Sequence, residues 1–215
     1  MRIAIYGATG MIGQRVTREA LARGHSVIAI VRNVSRFDLR HPNLDVKEGD
    51  VLDATDIAAK VVGCDAVVNA TRQFYADAPA AVGQTFVDAA HALIDGMKQA
   101  GVTRLVVVGG AGSLEIEPGK LLMDSEEFPQ AHLSVARSLR DALAVYQTAD
   151  MDWSFFSPAP RIAPGERTGR YRTGTDRIVE DENGQSRISA EDYAMALVDE
   201  LEQPRFLRQR FTAAY

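Results

Sequence analysis

One segment constrains this chain more than any other. Gly7-Ala8-Thr9-Gly10-Met11-Ile12-Gly13 follows a β-branched run, Arg2–Tyr6, and opens an amphipathic stretch, Met11–Arg23. Three glycines at this spacing say little alone. Between a strand and a helix, each has a distinct role. Gly7 permits the tight turn out of the strand. Gly10 keeps the backbone bare where a pyrophosphate can approach. Gly13 lets the helix pack against the sheet. The free N–H groups at the helix start, around Thr9, Met11 and Ile12, then meet the phosphate charge.

The rest of the chain repeats this alternation. Ser26–Val31, Leu44–Glu48, Asp65–Asn69, Arg104–Val108 and Asp152–Ser157 read as strands. Asp53–Val62, Ala80–Ala100, Ser134–Ala149 and Ala190–Glu202 read as helices. Gly24 suits the C-terminal cap of the first helix, and Ser189 the N-cap of the last. The unbroken Leu-Val-Val-Val of Arg104–Val108 fits a strand buried on both faces. Such alternation predicts an α/β fold: a doubly wound parallel sheet of Rossmann type, helices on both faces, and a small C-terminal lobe. Pro158–Gly184 departs from the pattern, with many charges, three prolines and four glycines. Long irregular segments in compact domains are usually functional or disordered. Residues 158–190 therefore read as a substrate-side segment within a single domain spanning 1–215. One short strand is expected around Arg170–Arg172, and a final edge strand at Arg210–Thr212.

Composition excludes several classes. A net charge of −5 over 215 residues argues against a general nucleic-acid binder. No apolar run approaches the roughly 20 residues that span a bilayer, and the N-terminus lacks the anatomy of a signal peptide. Cys64 is the single cysteine, so no intrachain disulfide forms, which suits a reducing, cytoplasmic setting. It reads as a small buried hydrophobe. His25, His41, His91 and His132 are scattered without metal-ligand spacing, so no metal is expected. Of these, His132 reads as an exposed residue ahead of a helix.

The region after the second strand bears on which dinucleotide fits. A carboxylate there would accept from a ribose 2′-hydroxyl and favour NAD. Here the chain reads Ile30-Val31-Arg32-Asn33-Val34-Ser35-Arg36, with no carboxylate. Arg32, assisted by Arg36 or Ser35, suits a 2′-phosphate, so NADP(H) is expected over NAD(H). Asp50, after the third strand, can reach an adenine amino group while the Val51 amide pairs with the ring. Its other reading is a turn residue. Asn69-Ala70-Thr71 and Gly109-Gly110 end the fourth and fifth strands, where ligands of open α/β sheets lie.

These residues carry a resemblance. Ile5–Gly13, Gly24-His25-Ser26-Val27, Val31-Arg32, Gly49–Asp53, Val108–Leu114, Asp152–Ala159 and Arg187–Ala194 resemble the atypical short-chain dehydrogenases of the NmrA-like and flavin-reductase-like group. The likeness runs nearly the length of the chain. It is nearest to small bacterial proteins described as NADH-flavin reductases, relatives of biliverdin reductase B. The resemblance implies an NADPH-binding Rossmann fold, with Ser157-Pro158-Ala159 beside the nicotinamide. It also implies hydride transfer to a flavin (FMN or FAD as substrate) or a similar planar acceptor.

Standard members of the wider superfamily use a Tyr-x-x-x-Lys pair. Tyr6, Tyr75, Tyr146, Tyr171, Tyr193 and Tyr215 all lack a lysine four positions on. Alcohol–ketone chemistry by that route is therefore not expected, nor is sugar epimerase or dehydratase chemistry. Flavin or quinone reduction asks less of the protein, because orientation carries most of the work. Ser113, where the family's nicotinamide-side serine falls, and Arg161, beside the nicotinamide segment, are the catalytic candidates. Phe74 and Tyr75 read as walls of an acceptor pocket or as packing. The competing reading is a non-catalytic NmrA-like redox sensor that binds the dinucleotide and regulates a partner. The expected assembly is a monomer or homodimer.

Overall fold

The computed structural model describes residues 1–71 and 79–215, with backbone alone for 79–84. In chain order the elements begin β1 (Arg2–Tyr6), α1 (Met11–Ala22), β2 (Ser26–Val31), β3 (Leu44–Glu48), α2 (Ala54–Val61) and β4 (Ala66–Asn69). Next come α3 (Pro79–Ala100), β5 (Arg104–Val108), β6 (Glu115–Glu117), β7 (Lys120–Leu121), α4 (Gln130–Gln147) and β8 (Asp152–Pro158). The chain closes with β9 (Arg161–Ala163), β10 (Arg172–Gly174), β11 (Arg187–Ser189), α5 (Ala190–Glu202) and β12 (Gln209–Ala214).

Eight strands form the main sheet in the order β10-β12-β8-β5-β4-β1-β2-β3. All pairings are parallel except that of β10 with β12. The strand order reverses between β1 and β4, which creates a crevice at their carboxyl ends. Helices α1 and α5 cover one face, with Val16, Ala20, Tyr193 and Leu197 in that core. Helices α2, α3 and α4 cover the other, with Ile57, Leu93, Met97 and Tyr146 buried. A parallel strand covered on both faces must be apolar on both, and Leu105, Val106 and Val107 of β5 are buried accordingly.

The caps follow the local chemistry. The Asp53 carboxylate accepts from the Thr55 and Asp56 amides at the start of α2. Gly24 has a φ of 82° and lets α1 end on bonds from Gly24 N to Leu21 O and from His25 N to Ala20 O. The Ser189 hydroxyl accepts from Asp192 N to open α5. A buried ion pair, Arg104 to Glu200 at 2.9 Å, ties α5 to β5.

Three expectations change. Helix α4 starts at Gln130, on a Pro129 cap without a side-chain bond, so His132 lies in its first turn rather than ahead of it. Strand β12 is not an edge: β10 pairs along it, from Arg172↔Ala214 to Gly174↔Thr212. The segment 158–190 holds three short strands rather than one, because β9 and β11 also pair with each other.

Candidate functional site

The turn between β1 and α1 sits at the crevice. Gly7 has a φ of 78°, and a Cβ there would lie 2.4 Å from Ala70 O. A Cβ on Gly13 would lie 2.1 Å from Gly7 O. Both glycines are therefore demanded by the fold. Gly10 is different. Its φ of −75° suits any residue, and its added Cβ would meet only Gly7 O at 3.3 Å and Ala70 O at 4.0 Å. Only backbone oxygens border that position and no side chain lies within 4 Å of it, as close approach of a ligand requires. No side chain caps the start of α1 and no acidic residue lies in its first turn. Its amide groups, with the helix dipole behind them, face the opening uncompensated. Thr9 and Met11 are exposed there, Ile12 is half-buried, and Thr9 O is held by Gln14 Nε2 at 2.8 Å.

Beside the turn lies a cleft of about 240 Å³. Tyr6, Gly7, Thr9, Gly10, Ile30 and Val31 form one side; Arg32, Gly49, Asp50, Val51, Leu52, Ala70 and Thr71 complete it. Arg32 is exposed on the rim, and its guanidinium makes no hydrogen bond or ion pair with any described residue. Arg36 is exposed in a 3-10 turn, Val34–Arg36, and does not line the cleft. The Ser35 hydroxyl is taken by Asn33 Oδ1 at 2.6 Å.

Asp50 serves the turn as well as the cleft: its Oδ1 accepts from Leu52 N at 3.0 Å, and its own N donates to Asp56 Oδ2. Asn69 is buried and does not line the cleft. Its Oδ1 accepts from Thr71 N and Oγ1, at 3.1 and 2.7 Å, which shapes the wall from behind. Tyr6, Ile30, Gly49 and Leu52 also line the cleft without being candidate site residues; Tyr6, Gly49 and Leu52 lie within the motifs that carry the resemblance. Their places at strand ends could have suggested them. The Tyr6 hydroxyl is buried without a partner. Burial first, then the charges of Asp56, Cys64 and Asp50, hold its pKa far above that of free tyrosine.

A Cβ on Gly109 would lie 2.1 Å from the Phe155 ring, and one on Gly110 2.8 Å from Leu139 Cδ1. Packing therefore accounts for both glycines. Ser113 is buried, and Arg210 Nη1 donates to its O and Oγ at 2.6 and 3.1 Å. Arg210 also binds Asp176 at 2.7 Å, which ties the loop after β5 to the segment before α5. Ser157, next to last in β8, is fully buried, with no partner for its Oγ among the described residues. Pro158 is half-buried and Ala159 buried. Arg161 is exposed on β9, with Gln185 Oε1 at 3.3 Å, and lines none of the clefts. Phe74 and Tyr75 lie outside the described residues. Cys64 is buried, and that burial raises its thiol pKa, which leaves it inert.

A doubly wound sheet with an anion-ready glycine turn at its switch point defines a dinucleotide-binding α/β protein. The chain belongs to the NAD(P)H-binding family, whose profile matches residues 7–204. A Burkholderia pseudomallei structure, provisionally named an exported protein, is 50% identical with a TM-score of 0.89 and covers 100% of both chains. One from Bacteroides thetaiotaomicron, provisionally named an epimerase, is 40% identical with a TM-score of 0.90, covering 100% of this chain and 96% of that one. A third, from Streptococcus pneumoniae TIGR4, is provisionally named an NADH-flavin reductase. It is 30% identical with a TM-score of 0.87, covering 100% of this chain and 99% of that one. No described helix is long and apolar enough to cross a membrane.

Proposed function

We propose that this protein is an NADPH-dependent reductase that passes a hydride to a flavin, a quinone or a similar planar acceptor. The observation that carries the cofactor preference is Arg32, a guanidinium on the cleft rim without a partner among the described residues, at the end of a strand, β2, that is followed by no carboxylate through Arg36. In this reading Gly7, Thr9, Gly10, Met11, Ile12 and Gly13 hold the pyrophosphate. Arg32, with Arg36 behind it, meets the 2′-phosphate. Asp50 and Val51 face the adenine. Asn69, Ala70 and Thr71 shape the wall. Gly109 and Gly110, packed on Phe155 and Leu139, border it with backbone alone at the end of β5, and Ser157, Pro158 and Ala159 flank the nicotinamide.

NADPH supplies the hydride; the chain orients it and excludes water. Ser113 and the segment 158–190, with Arg161, bound the acceptor side. Among the described tyrosines, Tyr146 and Tyr193 are buried and none has a lysine at the spacing that epimerase chemistry uses. That favours the reductase over the epimerase name carried by the Bacteroides relative. A cytoplasmic setting suits the cofactor and the single buried cysteine. The export implied by the Burkholderia name is tested by cell fractionation.

The direct experiment follows loss of NADPH absorbance with FMN or menadione as acceptor. Turnover is expected, faster with NADPH than with NADH. Tight NADPH binding without turnover of any flavin or quinone would sink the reductase and leave the redox-sensor reading.

A further inference from the structure

The turn between β3 and α2 bonds most of its own amides. Gly49 N donates to Val31 O at 3.1 Å, Leu52 N to Asp50 Oδ1 at 3.0 Å and Asp53 N to Asp50 O at 3.3 Å. Asp50 N donates outside the turn, to Asp56 Oδ2 at 3.0 Å. From Gly49 to Asp53, Val51 N is the one amide without an acceptor among the described residues, and Val51 lines the cleft. Backbone donors are seldom left unpaired, so this pattern singles out one amide of the turn.

Asp56 decides which amide that is. It stands half-buried in the first turn of α2, with Oδ1 paired to Lys60 Nζ one turn on. The helix dipole favours a carboxylate there, and a lysine at i+4 is a common partner. Those two roles account for an acid at this place and use one oxygen. Neither needs the second oxygen to reach back six residues to Asp50 N. That reach also needs bare backbone beside it. A Cβ on Gly49 would lie 2.8 Å from Asp56 Oδ2 and 2.7 Å from Ile30 Cγ2. Gly49 and Asp50 line the cleft, while Asp56 stands behind them.

We propose that Asp56 is a positioning residue for the base of the dinucleotide: by holding Asp50 N it fixes the turn that presents Asp50 and Val51, and so sets a preference for adenine over hypoxanthine. This rests on placing the adenosine in this cleft, and not on the reductase chemistry. Leu52 N engages Asp50 Oδ1, and Oδ2 has no partner among the described residues. That oxygen suits the amino donor of adenine. Hypoxanthine carries an oxygen in place of the amino group, which sets acceptor against acceptor at Asp50. A polar group held in place by its neighbours rejects the wrong partner more strongly than one free to turn away.

The test measures affinity for NADPH and for its hypoxanthine analogue by fluorescence titration, in wild type, Asp56→Ala and Asp56→Asn. Wild type is expected to favour NADPH at least about tenfold, and Asp56→Ala to shrink that preference to within about twofold. Asp56→Asn keeps a side-chain oxygen for Asp50 N and is expected to keep the preference. Equal weakening of both dinucleotides in Asp56→Ala, as a loosened fold would give, overturns the proposal. So does a wild type indifferent to the base, or a preference lost equally in Asp56→Asn, which would assign the effect to charge. Should Asp56→Ala not fold, amide hydrogen exchange of the wild type decides. Val51 N slowed on adding adenosine 2′,5′-bisphosphate, with Asp50 N slow throughout, supports the assignment. Asp50 N slowed only on binding, or Val51 N unaffected, overturns it. Base discrimination without turnover of any flavin or quinone sinks the reductase and leaves Asp56 standing. An active reductase whose Asp56→Ala variant keeps full discrimination does the reverse.

Discussion

The two ends of the strand edge are built on different principles. At the β1 end, neighbours in sequence make the site: six residues from Gly7 to Ile12 carry the turn and the helix start. At the β8 end, distant residues are sewn together. Arg210 reaches Ser113 across 97 positions, and Glu115 N donates to Asp176 O at 2.8 Å. Even the glycines differ. No side chain lies within 4 Å of the Gly10 position, while Gly109 is filled by the Phe155 ring. A local motif can keep one ligand fixed while the sewn region varies its acceptor, which matches the differing names of relatives that share this fold.

Substitutions can break that contrast. The largest effect is expected within the turn. Gly7→Ala and Gly13→Ala drive a Cβ into backbone oxygen, so each is expected to lose about 3 kcal/mol of stability by urea unfolding. Gly10→Ala is the control. Its stability is expected to stay within about 1 kcal/mol of wild type while NADPH affinity falls at least about tenfold, because the new methyl occupies the phosphate's approach. Equal destabilisation by all three would remove the distinction between fold-demanded and ligand-demanded glycines.

Next in size is Arg32→Ala. A charge-assisted bond to phosphate is worth about 1.5–3 kcal/mol, so NADPH affinity is expected to fall about tenfold to hundredfold. NADH affinity is expected to hold within about twofold, as read by fluorescence titration. Parallel losses for both cofactors would take Arg32 out of the 2′-phosphate site.

The smallest effects lie in the sewn region. The buried Asp192 carboxylate accepts from Thr168 Oγ1, Gly169 N and Tyr215 Oη at 2.6, 2.9 and 2.8 Å. Burial pushes its pKa up, but these bonds outweigh burial and hold it below the ordinary aspartate value. Because the folded-state pKa is the lower one, the stabilisation is complete above the unfolded value, about 3.9, and is lost as pH falls through the folded value. Unfolding free energy is therefore expected to decline in acid below about pH 4. Asp192→Asn is expected to be about 1 kcal/mol less stable at neutral pH, with a shallower acid limb. An identical acid limb would assign that loss to other carboxylates.

How far the sequence reaches follows the same divide. Strands β1, β2 and β5 match their apolar runs residue for residue, since burial on both faces demands such runs, and the edge strand β3 matches its alternating Leu44–Glu48. Strands β9, β10 and β11 are three residues each and carry no periodicity; they exist because a distant strand offers them a partner. Helix α4 begins four residues before Ser134, which looks like a cap, because Gln130, Ala131 and His132 accept helical geometry and nothing breaks it. Arg32 stands out in sequence because a carboxylate is missing nearby. The bonds of Ser113 could not be foreseen, because Arg210 adjoins it only in the folded chain.

The antiparallel pairing of β10 with β12 has a consequence for the molecule in concentrated solution. Without it, β12 would present a six-residue rim of unsatisfied amides and carbonyls, with Phe211, Ala213 and Ala214 behind them, to any passing strand. Instead β10 covers Thr212–Ala214 and offers a three-residue outer strand, led by Arg172, whose guanidinium donates to Glu180 O and Tyr215 O at 2.6 Å. The opposite rim, β3, alternates Asp45, Lys47 and Glu48 with its apolar residues. The segment that bounds the proposed acceptor site thus doubles as a guard against self-association. Remodelling it for a new acceptor is expected to test colloidal behaviour as much as specificity.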